Sequence, residues 1–272
     1  MEILMPIIIL AIIAILCAVL LTVSNILFGV KENELVAAVR EELPGANCGA
    51  CGFSGCDGYA KALGEGKVTK TNLCTAGGDG VAKRLAAIMG TEAEDVVEMV
   101  AYVACNGACQ PEDKKYEYTG PKSCVAANMA FSGDRHCTFA CLGYGDCMAV
   151  CPRGAIRINE RNVAEIDPQK CIGCGLCARA CPNHIIHVVP DTVTTVVMCS
   201  SHNKGPQVRK ACVNGCIACG MCAKVCPEGA ITIENNLAVI DHSKCTGCGI
   251  CKEKCPVKCI HQENFKCGAH FE

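Results

Sequence analysis

The sequence predicts a string of small α+β modules, stapled by metal and tethered by one membrane helix, in place of a single large core. Three observations carry this expectation. Cysteine accounts for 28 of 272 residues while aromatic residues make up 4% and tryptophan is absent. Modules so poor in large side chains bury too little apolar surface to stand without staples. An uncharged apolar run extends from Ile3 to Val30, and from Cys137 onward the cysteines fall into four blocks, each closed by Cys-Pro.

The first block reads Cys137-x3-Cys141-x5-Cys147-x3-Cys151-Pro152, the second Cys171-x2-Cys174-x2-Cys177-x3-Cys181-Pro182. The third is Cys216-x2-Cys219-x2-Cys222-x3-Cys226-Pro227 and the fourth Cys245-x2-Cys248-x2-Cys251-x3-Cys255-Pro256. The last three match the C-x2-C-x2-C-x3-C-P run of bacterial ferredoxins, whose fourth cysteine serves the other [4Fe-4S] cluster of the pair. Disulfides would suit a short secreted chain, and zinc would suit four cysteines taken alone. Neither explains three repeats of this spacing, with glycine between ligands where the backbone turns tightly. The compartment is therefore expected to be reducing. Net charge is −2, the clusters with their thiolates add more negative charge, and no basic surface for nucleic acid is present.

Taken in order, residues 1–30 form the anchor. About 20 apolar residues span a bilayer, and this run is longer. A signal peptide would have a basic leader and an apolar stretch of only about 7–15 residues; here Glu2 stands in the leader with no Lys or Arg. Residues 31–90 make a four-cysteine [4Fe-4S] domain. Asn33 caps a short helix bearing Leu35, Val36, Val39 and Leu43, and the glycine-rich loop with Cys48, Cys51 and Cys56 is completed by Cys74. Val81–Met89 reads as a helix. Residues 91–135 form a connecting segment in which Thr91-x-x-Glu94 predicts a capped helix with Val96, Val97, Val100 and Val103 inward. Residues 136–193 and 194–272 are two tandem two-cluster ferredoxin-like units, with strands at Ile156–Ile158, Ile185–Val189 and Ile231–Ile233. They repeat one another: Cys124, Cys141, Cys147 and Cys151 recur 75 positions later as Cys199, Cys216, Cys222 and Cys226.

The crossed rule assigns Cys171, Cys174, Cys177 and Cys151 to one cluster, Cys245, Cys248, Cys251 and Cys226 to another, and Cys216, Cys219, Cys222 and Cys255 to a third. In the first block Tyr144 stands where the repeat has Cys219, leaving Cys141, Cys147 and Cys181 one ligand short. Cys137, one helical turn before Cys141, is the expected recruit. Alternatively Cys105, Cys109 and Cys124 form a further cluster with Cys137, which would leave the Tyr144 site incomplete. Five clusters are expected, with a sixth as the open alternative; Cys199, Cys259 and Cys267 are expected not to be ligands. Such an array passes single electrons. No Rossmann, Walker or flavin signature accompanies it, so the chain reads as a relay without a complete catalytic site. Lys204, Arg209, Lys210, Lys252 and Lys254 are candidates for steering an acidic electron donor.

The chain resembles the B subunit of Rnf-type electron transport complexes, the membrane-bound ferredoxin:NAD+ oxidoreductases. The likeness rests on the apolar N-terminal helix, on Leu43-Pro-Gly-Ala-Asn-Cys-Gly-Ala-Cys-Gly-Phe-Ser-Gly-Cys-Asp-Gly-Tyr-Ala60 with Cys74, on Cys141-Leu-Gly-Tyr-Gly-Asp-Cys147, and on the ferredoxin blocks. It implies a single-pass cell-membrane protein with its clusters on the cytoplasmic side. Reduced ferredoxin would be the donor, and other integral-membrane and flavoprotein subunits the acceptors, within a complex that moves Na+ or H+. Cys48, Cys51, Cys56 and Cys74 would hold the cluster nearest the anchor. A membrane-tethered polyferredoxin feeding a hydrogenase or another redox enzyme is the competing expectation.

Overall fold

A computed structural model describes residues 4–28, 33–107 and 114–265; Cys109 and Cys267 lie outside them. Helix α1 spans Leu4–Phe28, roughly 37 Å at 1.5 Å per residue, against a hydrocarbon core of about 30 Å. Its Ile7–Ser24 window has mean hydropathy 3.2 and none of it is buried. This is one helix long and apolar enough to cross a membrane.

Three helices build the next module: α2 (Glu34–Glu42), α3 (Cys56–Gly64) and α4 (Gly78–Met89). The Asn33 side chain accepts from the Leu35 amide at 3.1 Å, the cap expected from the sequence. Val39, Tyr59, Leu63 and Leu85 are fully buried where the helices meet, each contributing about 1.5–3 kcal/mol by leaving water. Gly64 permits the crossing, since a Cβ there would come 2.4 Å from Val36 Cγ2.

The helix expected after Thr91 does not form. Met99–Val103 is instead strand β1, paired antiparallel with β4 (Ile186–Pro190) in the register Met99↔Pro190 to Val103↔Ile186. The side chains explain the difference. Val100 and Tyr102 enter one buried cluster while Ala101 and Val103 enter another, the two-residue alternation of a strand buried on both faces. Strand pairing overrides the capping signal.

Each ferredoxin unit has two two-stranded antiparallel sheets and a short helix after each Gly that precedes a cysteine block's third ligand position, with one more helix, α8, in the second unit. The first comprises β1–β4 and β2–β3 (Ile156–Ile158, Ala164–Ile166) with α6 (Asp146–Ala149) and α7 (Leu176–Ala180). Its outer strand thus comes from the 91–135 segment, and helix α5 (Cys124–Met129) lies in the excursion between β1 and α6. The second unit comprises β5 (Thr195–Val197) paired with β8 (Ile260–Gln262), β6 (Ile231–Glu234) paired with β7 (Leu237–Ile240), and helices α8 (Gly205–Ala211), α9 (Met221–Val225) and α10 (Ile250–Lys254). Glycines 145, 175, 220 and 249 precede α6, α7, α9 and α10 with φ of 85°, 70°, 72° and 77°. This left-handed geometry, open to glycine without strain, aims each following cysteine inward. Val100, Tyr102, Val189, Val196, Met198 and Phe265 form a core shared by the two units.

Candidate iron–sulfur centres

The cysteines gather around small cavities. Cys48, Cys51, Cys56 and Cys74 line one of about 310 Å³, mouth included. The loop closes on Asn47, whose Oδ1 accepts from the Cys56 amide at 2.8 Å. The Tyr59 hydroxyl donates to the Lys70 carbonyl at 2.8 Å, fixing the segment that leads to Cys74. Burial, and then the neighbouring Cys51, Cys56 and Cys48, push the Cys74 thiol up to about 11.

A second cavity, about 340 Å³, is lined by Cys151, Cys171, Cys174 and Cys177. The Ala155 amide donates to Cys151 Sγ at 3.3 Å and the Ala101 amide to Cys171 Sγ at 3.4 Å. The Arg179 guanidinium donates to the Cys48 carbonyl, tying this centre to the first, and a charge on Cys48 is felt at Cys174.

The third cavity, also about 340 Å³, answers the question posed by Tyr144. It is lined by Cys124, Cys141, Cys147 and Cys181. Cys137 does not line it. Tyr144 bonds the Asp134 carboxylate at 3.2 Å, and its ring meets that of Tyr118 edge-on at 5.7 Å. Cys124 opens helix α5, held by Asp146 Oδ1 accepting from the Cys124 amide at 2.9 Å. Asp146 Oδ2 accepts from the Val125 amide at 3.0 Å and from Ser123 Oγ at 2.9 Å. Burial alone would raise the Asp146 carboxyl, but these donors hold it below the usual carboxylate range. Burial first, then the thiols of Cys141, Cys124 and Cys181, push Cys147 up to about 12, and Cys177 of the second centre is also within reach.

In the second unit Cys222 feels Cys216, Cys219 and Cys255, and Cys251 feels Cys245 and Cys248. Cys226 Sγ accepts from the Ala230 amide at 3.4 Å, repeating the Ala155–Cys151 contact. A fifth thiol joins the Cys216 group: Cys259, 2% exposed, has its sulfur 3.7 Å from Cys255 Sγ. Its hydrogen bonds pull Cys216 down to about 6 and Cys255 down to about 5, while its own proton is held more tightly. Cys105, Cys137, Cys199 and Cys212 line a further cavity of about 410 Å³.

These arrangements fit cubane clusters. Most of these buried thiols, Cys74, Cys141, Cys147, Cys177 and Cys222 among them, hold their protons until a cationic centre takes up the charge, and amides aimed at sulfur are the hydrogen bonds that tune such centres. Among the described residues no group of three or more His, Cys, Asp or Glu side chains is arranged to hold a single metal ion. Sequence reasoning missed the neighbours that place the thiols, Asp146 above all, and gave Cys199 no part. The 75-residue offset between Cys124 and Cys199 was the available signal. His187 packs beside the Tyr102 ring, the centroids 5.5 Å apart.

Comparison with known proteins agrees. An Fe-S cluster family profile matches residues 43–75, and two 4Fe-4S dicluster domain profiles match residues 136–185 and 215–259, and residues 170–230. The B subunit of the Na(+)-translocating ferredoxin:NAD(+) oxidoreductase complex of Acetobacterium woodii is 43% identical over 95% of this chain and 78% of its own length. The B subunit of the proton-translocating ferredoxin:NAD(+) oxidoreductase complex of Clostridium ljungdahlii is 43% identical over 89% of this chain and 85% of its own. The B subunit of the ion-translocating oxidoreductase complex of Methanosarcina acetivorans is 38% identical over 83% and 85%. On the cysteine architecture and these relatives together, the chain belongs to the B-subunit family of Rnf-type ion-translocating oxidoreductase complexes.

Proposed function

We propose that the chain is the electron-relay arm of a membrane ferredoxin:NAD+ oxidoreductase, coupled by the whole complex to Na+ or H+ movement. Five [4Fe-4S] clusters would be held by Cys48/Cys51/Cys56/Cys74, Cys151/Cys171/Cys174/Cys177, Cys124/Cys141/Cys147/Cys181, Cys216/Cys219/Cys222/Cys255 and Cys226/Cys245/Cys248/Cys251. Bound there, they supply one-electron carriers whose potentials follow burial and hydrogen bonding. The observation that carries the reading is continuity: the Arg179–Cys48 contact joins the first two cysteine groups, and Cys147 beside Cys177 joins the second and third.

Exposure suggests the direction. Cys219 and Cys248 are exposed, next to helices carrying Lys224, Lys252 and Lys254, which suits intake from an acidic ferredoxin. The Cys48 group follows the apolar helix in sequence, which suits delivery toward membrane and flavin-bearing partners. Both cysteine-rich units would then face the cytoplasm. The test is anaerobic preparation of the full chain in detergent, with iron, sulfide and EPR analysis. Reduced ferredoxin should produce several S = 1/2 signals, and the isolated chain should not reduce NAD+. Folded protein without iron, or NAD+ reduction by the chain alone, would overturn the proposal.

A further inference from the structure

The five cysteine groups leave a gap: nothing among them joins the first ferredoxin unit to the second. The geometry points to Cys105, Cys137, Cys199 and Cys212 as ligands of a sixth [4Fe-4S] cluster that spans this gap, a set distinct from any grouping expected from the sequence. Four cysteines suffice for one cubane. The four line one small cavity, as the cysteines of the Cys48, Cys151 and Cys124 groups line theirs. Its walls are mostly apolar, with Phe139, Ala140, Met198, Val208 and Ala211 among them.

The sulfurs are dressed as those of the other groups are. Cys199 Sγ accepts from the Cys216 amide at 3.3 Å and from the Ser201 amide at 3.5 Å. The Cys141 and Gly107 amides lie near the Cys105 thiol, and the Phe139 amide and Ser201 hydroxyl near that of Cys137. Two of these contacts reach ligands of neighbouring centres, Cys141 on one side and Cys216 on the other. An electron leaving a reduced centre in the second unit would reduce this cluster by one, and reoxidation would reduce the Cys141 centre. The reductant is the ferredoxin of the proposed function, so the relay role rests on that reading, whereas the cluster's presence does not.

The repeat explains why only one such site exists among the described residues. Cys124 and Cys199 are equivalents, as are Cys137 and Cys212, 75 positions apart in each case. The first unit uses Cys124 to fill the place of the ligand missing at Tyr144. The second has Cys219, so Cys199 goes to the junction. Zinc fits less well, because tetrahedral Zn–S bonds of 2.3 Å require sulfurs about 3.8 Å apart, and no such convergence is found among the described residues.

The test counts metal in the full-length holoprotein, purified without oxygen. Iron and acid-labile sulfide should reach about 24 atoms each per chain, and native mass spectrometry should resolve a species with six clusters, at about four irons per cluster. Cys199→Ala and Cys212→Ala should each lower the count to about 20. The double variant Cys137→Ala/Cys199→Ala should also hold about 20, since both ligands serve one cluster. A wild-type count of about 20, unchanged by the single substitutions, would overturn this inference and leave the proposed function standing. So would one stoichiometric zinc removed by those substitutions. Absence of iron altogether would overturn both.

Discussion

Asp146 offers the most direct perturbation of the centre that lacks a ligand at Tyr144. Its carboxylate accepts three hydrogen bonds, from the amides of Cys124 and Val125 and the Ser123 hydroxyl, at 2.9, 3.0 and 2.9 Å. All three hold the start of α5, where Cys124 sits. Bonds to a charged acceptor contribute about 1.5–3 kcal/mol each, so Asp146→Ala should cost roughly 4 kcal/mol locally once solvent access and non-additivity are allowed for. Asp146→Asn must turn an NH2 group toward at least one of those donors and should cost about 2 kcal/mol. The expected result is selective loss of about four irons in the alanine variant, with partial occupancy in the asparagine variant. The remaining signals should be unchanged. The assay is iron and sulfide content with EPR of the dithionite-reduced protein. A full iron complement and an unaltered spectrum in Asp146→Ala would refute the assignment of Cys124 to this centre. Because the folded-state pKa is depressed, the contribution is present above the ordinary carboxyl pKa of 3.8. It is lost only as pH falls through the lower folded value.

Three further outcomes are expected. Cys259→Ala should retain all its iron but lower the midpoint potential of the Cys216 centre by about 20–60 mV in a redox titration, the equivalent of one neutral hydrogen bond to sulfur; an unchanged potential would show that Cys259 has no tuning role. Glu263 is buried, and burial pushes its carboxyl up from 4.5 to about 7, with Lys252 opposing the shift. A raised acid pKa gives stability that is fully present below pH 4.5 and lost as pH rises through 7, a change of about 3 kcal/mol. Thermal melts of the holoprotein should therefore fall over that range, and Glu263→Gln should flatten the fall; parallel profiles would contradict this. Reversing the exposed Lys252 and Lys254 to Glu should slow reduction by ferredoxin about tenfold at low salt and remove most of its salt dependence, and unaltered kinetics would place the docking surface elsewhere.

What the sequence made legible were cysteine groups within a block, and what it hid were thiols brought in from a distance. Cys171, Cys174 and Cys177 are spaced by a local turn, so their grouping follows from short-range geometry. The fourth thiol is set by which strand returns to which sheet, and the crossed rule carries that information only where both blocks are intact. At Tyr144 the rule fails, and proximity along the chain favours Cys137, one helical turn from Cys141. The cavity that Cys141, Cys147 and Cys181 line has Cys124 as its fourth thiol. Strand β1, read from its capping box as part of a helix, pairs with β4 and places Cys105 alongside the unit. Asp146 then draws Cys124 to Cys141 and Cys147, while Cys137 faces the second unit. The misread helix traces to that pairing, a contact between residues 99–103 and 186–190 that no local pattern encodes. The repeat held the remaining information. Cys124 and Cys199 occupy equivalent positions, and a single exchange, Tyr144 for the Cys219 of the other half, sends one into its own unit and the other to the junction. A missing thiol in one ferredoxin block and a centre between two blocks are thus two consequences of one substitution in a duplicated chain. On that reasoning Tyr144→Cys combined with Cys124→Ala should restore a four-thiolate site of the second unit's type, with the iron count returned to that of the parent protein. Failure to recover those irons would mean that the Cys124 arrangement depends on more than the missing thiol.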